Sequence, residues 1–295
     1  MELNQLIYFR ALAGSQSFTK AAADISISQS ALSRSISKLE EELGAPLFLR
    51  GARTISLTPE GRRFLPYAER ALRELSLGRQ EIENSRASDG GCINLSFIHS
   101  LGSHILPRLL SDFRARHPRI RFNLDQDNSA RLARYLLDGG SDLCLCSNLL
   151  HLEQIAWLYL YSEELFAVLP AGHPLARCQS LPLTALEDEP FITLKPDYSL
   201  RIISEQYFAV SRIHPSIIFE GDDVNTAASL VAARLGVSLL PKLSVLEEEK
   251  LAYIPVSFPI CKRDIGLAWH SERPLSPPAR KFQQFVIHAF GNTGP

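Results

Sequence analysis

Residues 28–44 read SQSALSRSISKLEEELG, and this stretch decides the fold of the N-terminal end. Leu32, Ile36, Leu39 and Leu43 step by four, three and four, the spacing of one buried stripe on a helix. Ser28 stands where an N-cap is needed, Gly44 follows the last apolar residue, and Pro46 lies just beyond. The opposite face carries Gln29, Ser30, Ser33, Arg34, Ser37 and Lys38. Serines let a helix backbone approach a major groove closely. A glutamine can pair with adenine and an arginine with guanine, while a lysine or hydroxyl holds phosphate. A polar stripe taken alone is more often a solvated helix face, so its neighbours must decide.

Upstream, Leu3, Leu6, Ile7 and Leu12 give a first short helix its apolar face, and Ser17 can cap a second carrying Ala21, Ala22 and Ala23. A tight turn, Asp24–Ser28, leads into the third. Downstream, two extended runs, Leu47–Arg50 and Thr54–Thr58, flank Gly51, Ala52 and Arg53, as in a small β-ribbon. Arg50 and Arg53 on that ribbon are placed to reach backbone or minor groove. Three short helices and a ribbon make a winged helix-turn-helix, with the third helix as reader.

Thr58, Pro59 and Glu60 supply an N-cap, a proline at the first helical position and an acid in the first turn. The helix they open is expected to run to about Ser88. Leu65, Ala68, Leu72, Leu75 and Ile82 recur at alternating three and four spacing, with Arg79 the one break, which is a coiled-coil seam. The alternative is a helix packed on its own domain. Asp89, Gly90 and Gly91 then read as a hinge.

Beyond the hinge, strands alternate with helices. Ile93–Ile98, Ile120–Leu124 and Leu143–Cys146 are expected strands, separated by helices Ile105–Arg116 and Ala130–Leu137. A second series holds strands Leu165–Leu169, Phe191–Leu194, Ile217–Glu220 and Ser238–Leu240, with helices Leu200–Ala209 and Val224–Leu235. A strand over 265–269 and a helix Ala279–Phe290 close the chain. The first series implies a parallel sheet with helices on both faces, and the two series together imply two α/β subdomains around a cleft. Ligands bind beyond the carboxyl ends of such strands. There the sequence places His99, Ser100, Leu101, Gly102 and Ser103, then Asp127, Asn128 and Ser129, then Asp222, Asp223, Val224, Asn225 and Thr226. Each group opens a helix, and three helix N-termini facing one cleft can cradle an anion. For any one serine, plain N-capping is the commoner role. Asp222 and Asp223 oppose an anion and leave an amine-bearing ligand open.

Of 295 residues, 45% are hydrophobic and 21% charged, as in a soluble globular protein of two or three domains. No apolar run is long enough for a transmembrane helix, and the first residues carry neither basic nor apolar leader features, so a cytoplasmic protein without membrane partners is expected. The net charge of −1 argues against coating nucleic acid without specificity. Residues 1–63 hold eight bases against six acids, a mild +2, so position carries more of the DNA argument than sum. The cysteines at 92, 144, 146, 178 and 261 have no zinc spacing and read as free thiols; neither metal nor cofactor is expected.

Five motifs occur in order: Phe18-Thr19-Lys20-Ala21-Ala22, Ser28 to Arg34, Leu39 to Gly44, Pro46-Leu47-Phe48, and Leu57 to Gly61. Together they resemble the N-terminal domain of the LysR-type transcriptional regulators. Glu164 to Pro170 with Gly172-His173-Pro174-Leu175, and Leu230 to Pro241, are similar to stretches of that family's regulatory domain. The resemblance covers nearly the whole chain. It implies an α/β architecture: an N-terminal winged helix-turn-helix over 1–58, a linker and dimerisation helix over 59–88, and a periplasmic-binding-protein-like regulatory domain over 89–295. Subdomain I would take about 92–161 and 266–295, and subdomain II about 162–265. The resemblance further implies a homodimer or tetramer on a double-stranded operator with an interrupted inverted repeat, whose bend changes when a small-molecule effector binds. It puts Gln29, Ser33, Arg34 and Arg53 on DNA. It puts Ser100 and Ser129 in the effector pocket, faced by Thr193, Tyr198 and Arg201, although Arg201 is the better candidate for a salt bridge than for a ligand clamp.

Other classes fare worse. No Gly-rich phosphate loop, nucleophile elbow or HExxH motif is present, and His99 and His104 near the cleft have no paired nucleophile, so no catalytic residue is assigned. A transport solute-binding protein would share the cleft but would have no DNA domain. Cys144 and Cys146 share one face of a strand, a spacing that disfavours bridging. The resemblance places the family's peroxide-sensing pair near 199–208, where this chain has no cysteine.

Overall fold

The structure, a computed structural model, describes residues 1–15, 17–50, 55–86, 90–102, 105–148, 152–243 and 248–291. The chain divides into two compact units, Met1–Ile82 and Glu83–Pro295.

In the first unit three helices, α1 (Leu3–Ser15), α2 (Phe18–Asp24) and α3 (Gln29–Leu43), precede a ribbon of β1 (Phe48–Arg50) and β2 (Ile55–Leu57). The local signals are realised as hydrogen bonds. Ser17 accepts from the Lys20 N–H, and Ser28 from the Ala31 N–H. Gly44 ends α3 in the left-handed conformation at φ 66°, a geometry glycine adopts without a Cβ penalty. Leu32, Ile36 and Leu39 are fully buried and meet Phe9, Leu12, Ala21 and Phe48 in one core. The ribbon is tied to α3 by Glu40, whose carboxylate accepts from the Leu47 N–H at 2.7 Å and the Phe48 N–H at 3.1 Å. Replacing Glu40 by alanine leaves both donors without that acceptor. Urea denaturation should show a loss of about 1.5–3 kcal/mol in the N-terminal unit, the range for bonds to a charged group; an unchanged midpoint would separate the ribbon's placement from Glu40.

Helix α4 (Pro59–Arg86) starts on Thr58, whose hydroxyl accepts from the Gly61 N–H at 2.9 Å and donates to the Pro46 carbonyl at 2.7 Å. Gly61 has no room for a side chain: a Cβ there would stand 2.2 Å from the Leu47 carbonyl oxygen. The expected seam along α4 divides. Ala68 and Leu72 are buried in the N-terminal core, whereas Leu75 and Ile82 are each 57% exposed. The first half of the stripe therefore serves packing on its own domain, and only the second half remains at the surface.

The second unit begins with β3 (Gly91–Phe97), the short α5 (His99–Gly102), α6 (Ile105–Arg116), β4 (Ile120–Gln126), α7 (Ser129–Leu137) and β5 (Leu143–Ser147). Strand β3 pairs in parallel with β4 and β5, and its near-continuous burial is that of a central parallel strand. The long β6 (Ile155–Pro170) then leaves this subdomain and enters the next. There follow β7 (Leu181–Pro182), β8 (Phe191–Leu194), α8 (Ser199–Ser211), β9 (Ile217–Gly221), α9 (Val224–Ala232), β10 (Ser238–Pro241) and β11 (Leu251–Phe258). Strand β12 (Lys262–His270) returns antiparallel along β6, and α10 (Pro277–Gly291) closes the first subdomain.

The sheet order is β4-β3-β5-β12-β6-β11-β7, with β10 also on β6, while β8 and β9 form a separate parallel pair. The first series forms the expected parallel sheet, with β3 between β4 and β5. The pairs of β6 with β10, β11 and β12, and of β12 with β5, are antiparallel. Strands β6 and β12 are the two crossings between subdomains and run opposite ways. Each subdomain keeps its own core. One is built around Phe113, Leu132, Leu145 and Phe282, the other around Leu165, Phe191, Ala227 and Leu239. Among the described residues no helix is long and apolar enough to cross a membrane.

Candidate nucleic-acid interface and effector cleft

On α3, Gln29, Ser30, Arg34, Ser37 and Lys38 are exposed and Ser33 is half-buried, so the expected reading face is a continuous surface. Ser30 shares a hydrogen bond with Ser28 at 3.1 Å. Arg34 Nε donates to the Ser30 carbonyl at 3.3 Å, which anchors the base of the guanidinium and leaves its fork outermost. Lys38 Nζ is engaged by Glu2 at 2.8 Å, a pair that DNA phosphate would have to replace. Arg50 ends β1, but its side chain lies outside the described residues, as do Arg53 and the whole Gly51–Arg53 turn.

In the second unit, a narrow cavity of about 20 Å³, room for about one water, lies between the subdomains. From the first come Ile98, His99, Ser100, Asn128 and Ser129; from the second, Leu194, Tyr198, Ser199, Leu200 and Val224. Arg263, on the crossing strand β12, completes the lining. Ser100, Ser129 and Tyr198 are thus brought together. Leu101, Gly102, Thr193, Arg201 and Thr226 are not part of the lining. Ser103 and His104 lie outside the described residues.

Arg201 is engaged elsewhere. It donates to Glu205 and Glu220 at 2.6 Å each and to the Leu194 carbonyl at 3.0 Å, an internal brace of α8 against β8 and β9. Thr226 is exposed, and its N–H is bonded to Asp223.

The helix ends also differ from expectation. Helix α5 is a single turn of four residues. Asn128, rather than a ligand, caps α7 by accepting from the Arg131 N–H at 3.0 Å, and Asp223 caps α9 with its own carboxylate. An acid already on the α9 terminus leaves no anion site there. Asp222 is likewise engaged. Its bond to Lys195 at 2.6 Å holds its carboxyl below the usual range, and the Tyr198 hydroxyl donates to it at 3.4 Å. Burial first, and then the Asp222 carboxylate, push the Tyr198 phenol up to about 12, so it stays a neutral donor at physiological pH.

The cleft's cation is one the sequence reading missed. The Arg263 side chain is 2% exposed; its Nε donates to Glu163 on β6, and its Nη2 donates to Ser100 Oγ at 2.7 Å. Two further buried atoms of the lining, Ser129 Oγ and His99 Nδ1, have no hydrogen-bond partner among the described residues. The His99 ring stands 5.8 Å from that of Tyr198, one from each subdomain, and Ser199 donates to Ser147 across the same gap at 3.3 Å. The cavity therefore offers a buried guanidinium, hydroxyls and an imidazole, with its neighbouring acids already neutralised. The thiols stand apart from it. Cys144 and Cys146 are fully buried in the first core, and burial pushes the Cys146 thiol well up, away from the reactive thiolate.

The comparisons with known proteins agree along the whole chain. Residues 3–62 match the family described as bacterial regulatory helix-turn-helix protein, lysR family, and residues 86–291 match the LysR substrate binding domain. The HTH-type transcriptional regulator YybE of Bacillus subtilis (strain 168) is 44% identical over 290 residues, covering 98% of this chain and 99% of its own. The structure of CbnR, a LysR family transcriptional regulator, shares the fold with a TM-score of 0.78 at 22% identity, over 98% of this chain and 99% of that one. The effector binding domain of QuiR in complex with shikimate aligns with a TM-score of 0.66 at 27% identity, over 70% of this chain and all of that one.

Proposed function

This chain belongs to the LysR family of transcriptional regulators, and from that premise we propose that its operator binding is set by a small organic anion held between the two α/β subdomains. The family is one of regulators, not enzymes. The observation that carries the anion is Arg263: a guanidinium this buried, in a cavity wall beside Ser129 Oγ and His99 Nδ1, which have no partner among the described residues, is a group able to recruit a second acceptor. Asp222 and Asp223, which pointed to an amine, are held by Lys195 and by the α9 N-terminus. The shikimate bound by the QuiR domain is itself a hydroxylated carboxylate. A ligand that touches both subdomains must part them to enter so narrow a cleft, and unequal affinity for the two arrangements would change the bend imposed on DNA.

On the DNA side, Gln29, Ser30, Ser33 and Arg34 read bases, Ser37 and Lys38 hold phosphate, and Arg50 and Arg53 contact backbone or minor groove. Two chains would join through the exposed end of α4 on one inverted repeat, either as a dimer or as half of a tetramer. Boundaries near 58 and 88 would separate reader, linker and regulatory domain.

The test is a thermal-shift titration of the full-length protein with shikimate, succinate and acetate, against glucose and putrescine. A bound carboxylate at a hundred times its Kd adds roughly 2.7 kcal/mol of stability. Ser100→Ala and Ser129→Ala should each weaken that ligand by about tenfold, the loss of one charge-assisted bond. Stabilisation by glucose or putrescine alone, or carboxylate binding indifferent to both serines, would sink the anion.

A further inference from the structure

Arg263 stands at a particular place in the chain. Its Cα partner in the β12–β6 ladder is Glu163, so the cation and its resident carboxylate sit opposite each other on the two strands that join the subdomains. The register of that ladder shifts two residues further on, between Ile265 and Gly266. Glu163 is 19% exposed, whereas Arg263 is 2% exposed. The guanidinium thus touches a crossing strand through Nε and the first turn of the cleft wall through Nη2, which donates to Ser100. Its Nη1 makes no hydrogen bond among the described residues.

We propose that Glu163 is a built-in competitor of the effector: it neutralises Arg263 while the cleft is empty, and an incoming carboxylate takes the guanidinium from it, so that ligand binding loosens the pairing of the two crossing strands. The inference rests on the reading of the cleft as an anion site.

A buried arginine must have a counter-charge at all times, and Glu163 supplies one from the strand rather than from the ligand. Glu163 engages the guanidinium at Nε, while among the described residues the edge with Nη1 and Nη2 is met by the Ser100 hydroxyl alone. A carboxylate that parts the cleft enough to enter can replace that hydroxyl and bond in the bidentate manner a guanidinium favours. One negative group then suffices, and the second is surplus. Glu163, being the partly exposed one, can turn to water. Once it does, the crossing strands lose an ion pair close to the point where their ladder is already irregular. The angle between subdomains is set at these strands, so the exchange gives a ligand unequal affinity for two arrangements, which any population shift requires. Glu163 thereby sets the threshold concentration at which the regulator responds.

The experiment is the same titration of full-length protein with shikimate, succinate and acetate, repeated on Glu163→Gln. The variant keeps the hydrogen-bonding shape and removes the competing charge. The carboxylate that stabilises the wild type should bind it about tenfold more tightly, the worth of one charge-assisted bond. Asp264→Asn, one residue along from Arg263 and bonded to Ser162, removes the same charge from the same strands without touching the guanidinium and should stay within twofold. Arg263→Lys, which loses the fork, should bind at least about tenfold more weakly. If Glu163→Gln does not fold, Glu163→Asp, too short to hold Nε as well, carries the test in the same direction. Unchanged or weaker binding by the Glu163 variants, or equal tightening by Asp264→Asn, overturns the exchange while leaving the anion site standing. A panel in which no carboxylate stabilises any variant overturns both.

Discussion

Leu75→Asp combined with Ile82→Asp should turn the protein into monomers and lower operator affinity by roughly 10²–10⁴-fold, the gain that linkage of two binding modules gives. Both side chains are 57% exposed on the second half of α4, seven residues apart, so they share one face after two helical turns. An exposed aliphatic pair at heptad spacing has no reason to remain in water when a second copy can cover it, and two carboxylates there would repel across a symmetric contact. The choice of residues matters. Leu72 lies on the same stripe but is buried in the N-terminal core with Ala68, so a charge at 72 would unfold the reader and mimic the loss of assembly. The double variant spares that core. Its N-terminal unit should keep the wild-type unfolding midpoint while sedimentation reports a single chain. A variant that sediments as the wild type would move the contact between copies off α4.

The division of α4 marks the limit of what a repeat can say. The alternating spacing through Leu65, Ala68, Leu72, Leu75 and Ile82 fits a seam or a packed face equally well, since both need apolar residues every three or four positions. Which one applies depends on what lies opposite, and that is long-range information. The signals that read correctly are local ones. Ser17, Ser28, Gly44 and Thr58 act on backbone atoms within a few residues of themselves, and each makes the bond its position implies. The second subdomain is harder to read. Strand β11 contains Pro255, a residue that argues against a strand, yet it pairs with β6 on one side and β7 on the other. Strand β6 runs sixteen residues, but only its last part is a continuous apolar run; its first part exposes Leu158 and Tyr159.

The candidate site shows the same split. Ser100 and Ser129 are found in the cavity wall because a strand's carboxyl end is a legible place. Two of the three helix ends that supported an anion are already capped, by Asn128 and Asp223, so the donors they hold are not available. Arg263 has no signal of its own. A single arginine in a strand of mixed character reads as surface, since arginine is seldom fully buried unless paired. Its partner Glu163 lies a hundred residues away and is matched to it only by the register of β6 against β12. Even with both residues in view, no spacing rule joins them. Arg201 is the converse case: the i,i+4 partner Glu205 is visible in the sequence and favours the salt bridge that the structure contains.

Arg34→Ala should cost roughly 1–3 kcal/mol at each half-site and so about 2–6 kcal/mol for a dimer on an inverted repeat, because one substitution removes the same base contact twice. Arg34 projects from the exposed face of α3 one turn after Ser30, and the bond from its Nε to the Ser30 carbonyl leaves the outer nitrogens free to meet the two acceptors of a guanine edge. The loss should therefore fall on one base pair per half-site, relaxing preference there and leaving the rest of the operator as before. Lys38→Ala gives the contrast. That ammonium is bound to Glu2 in the free protein, so on DNA it exchanges one carboxylate partner for another anion. Its removal should weaken every sequence alike and reduce the salt slope by about one for each phosphate no longer neutralised. Gel-shift titrations at several salt concentrations, on the operator and on variants changed at single positions, separate the two. If Arg34→Ala binds all of these with wild-type affinity and preference, base reading belongs to other residues of the face, with Gln29 next in line. If its loss is instead uniform across sequences and steepest at low salt, Arg34 holds phosphate as Lys38 does, and the groove is entered nearer the start of α3.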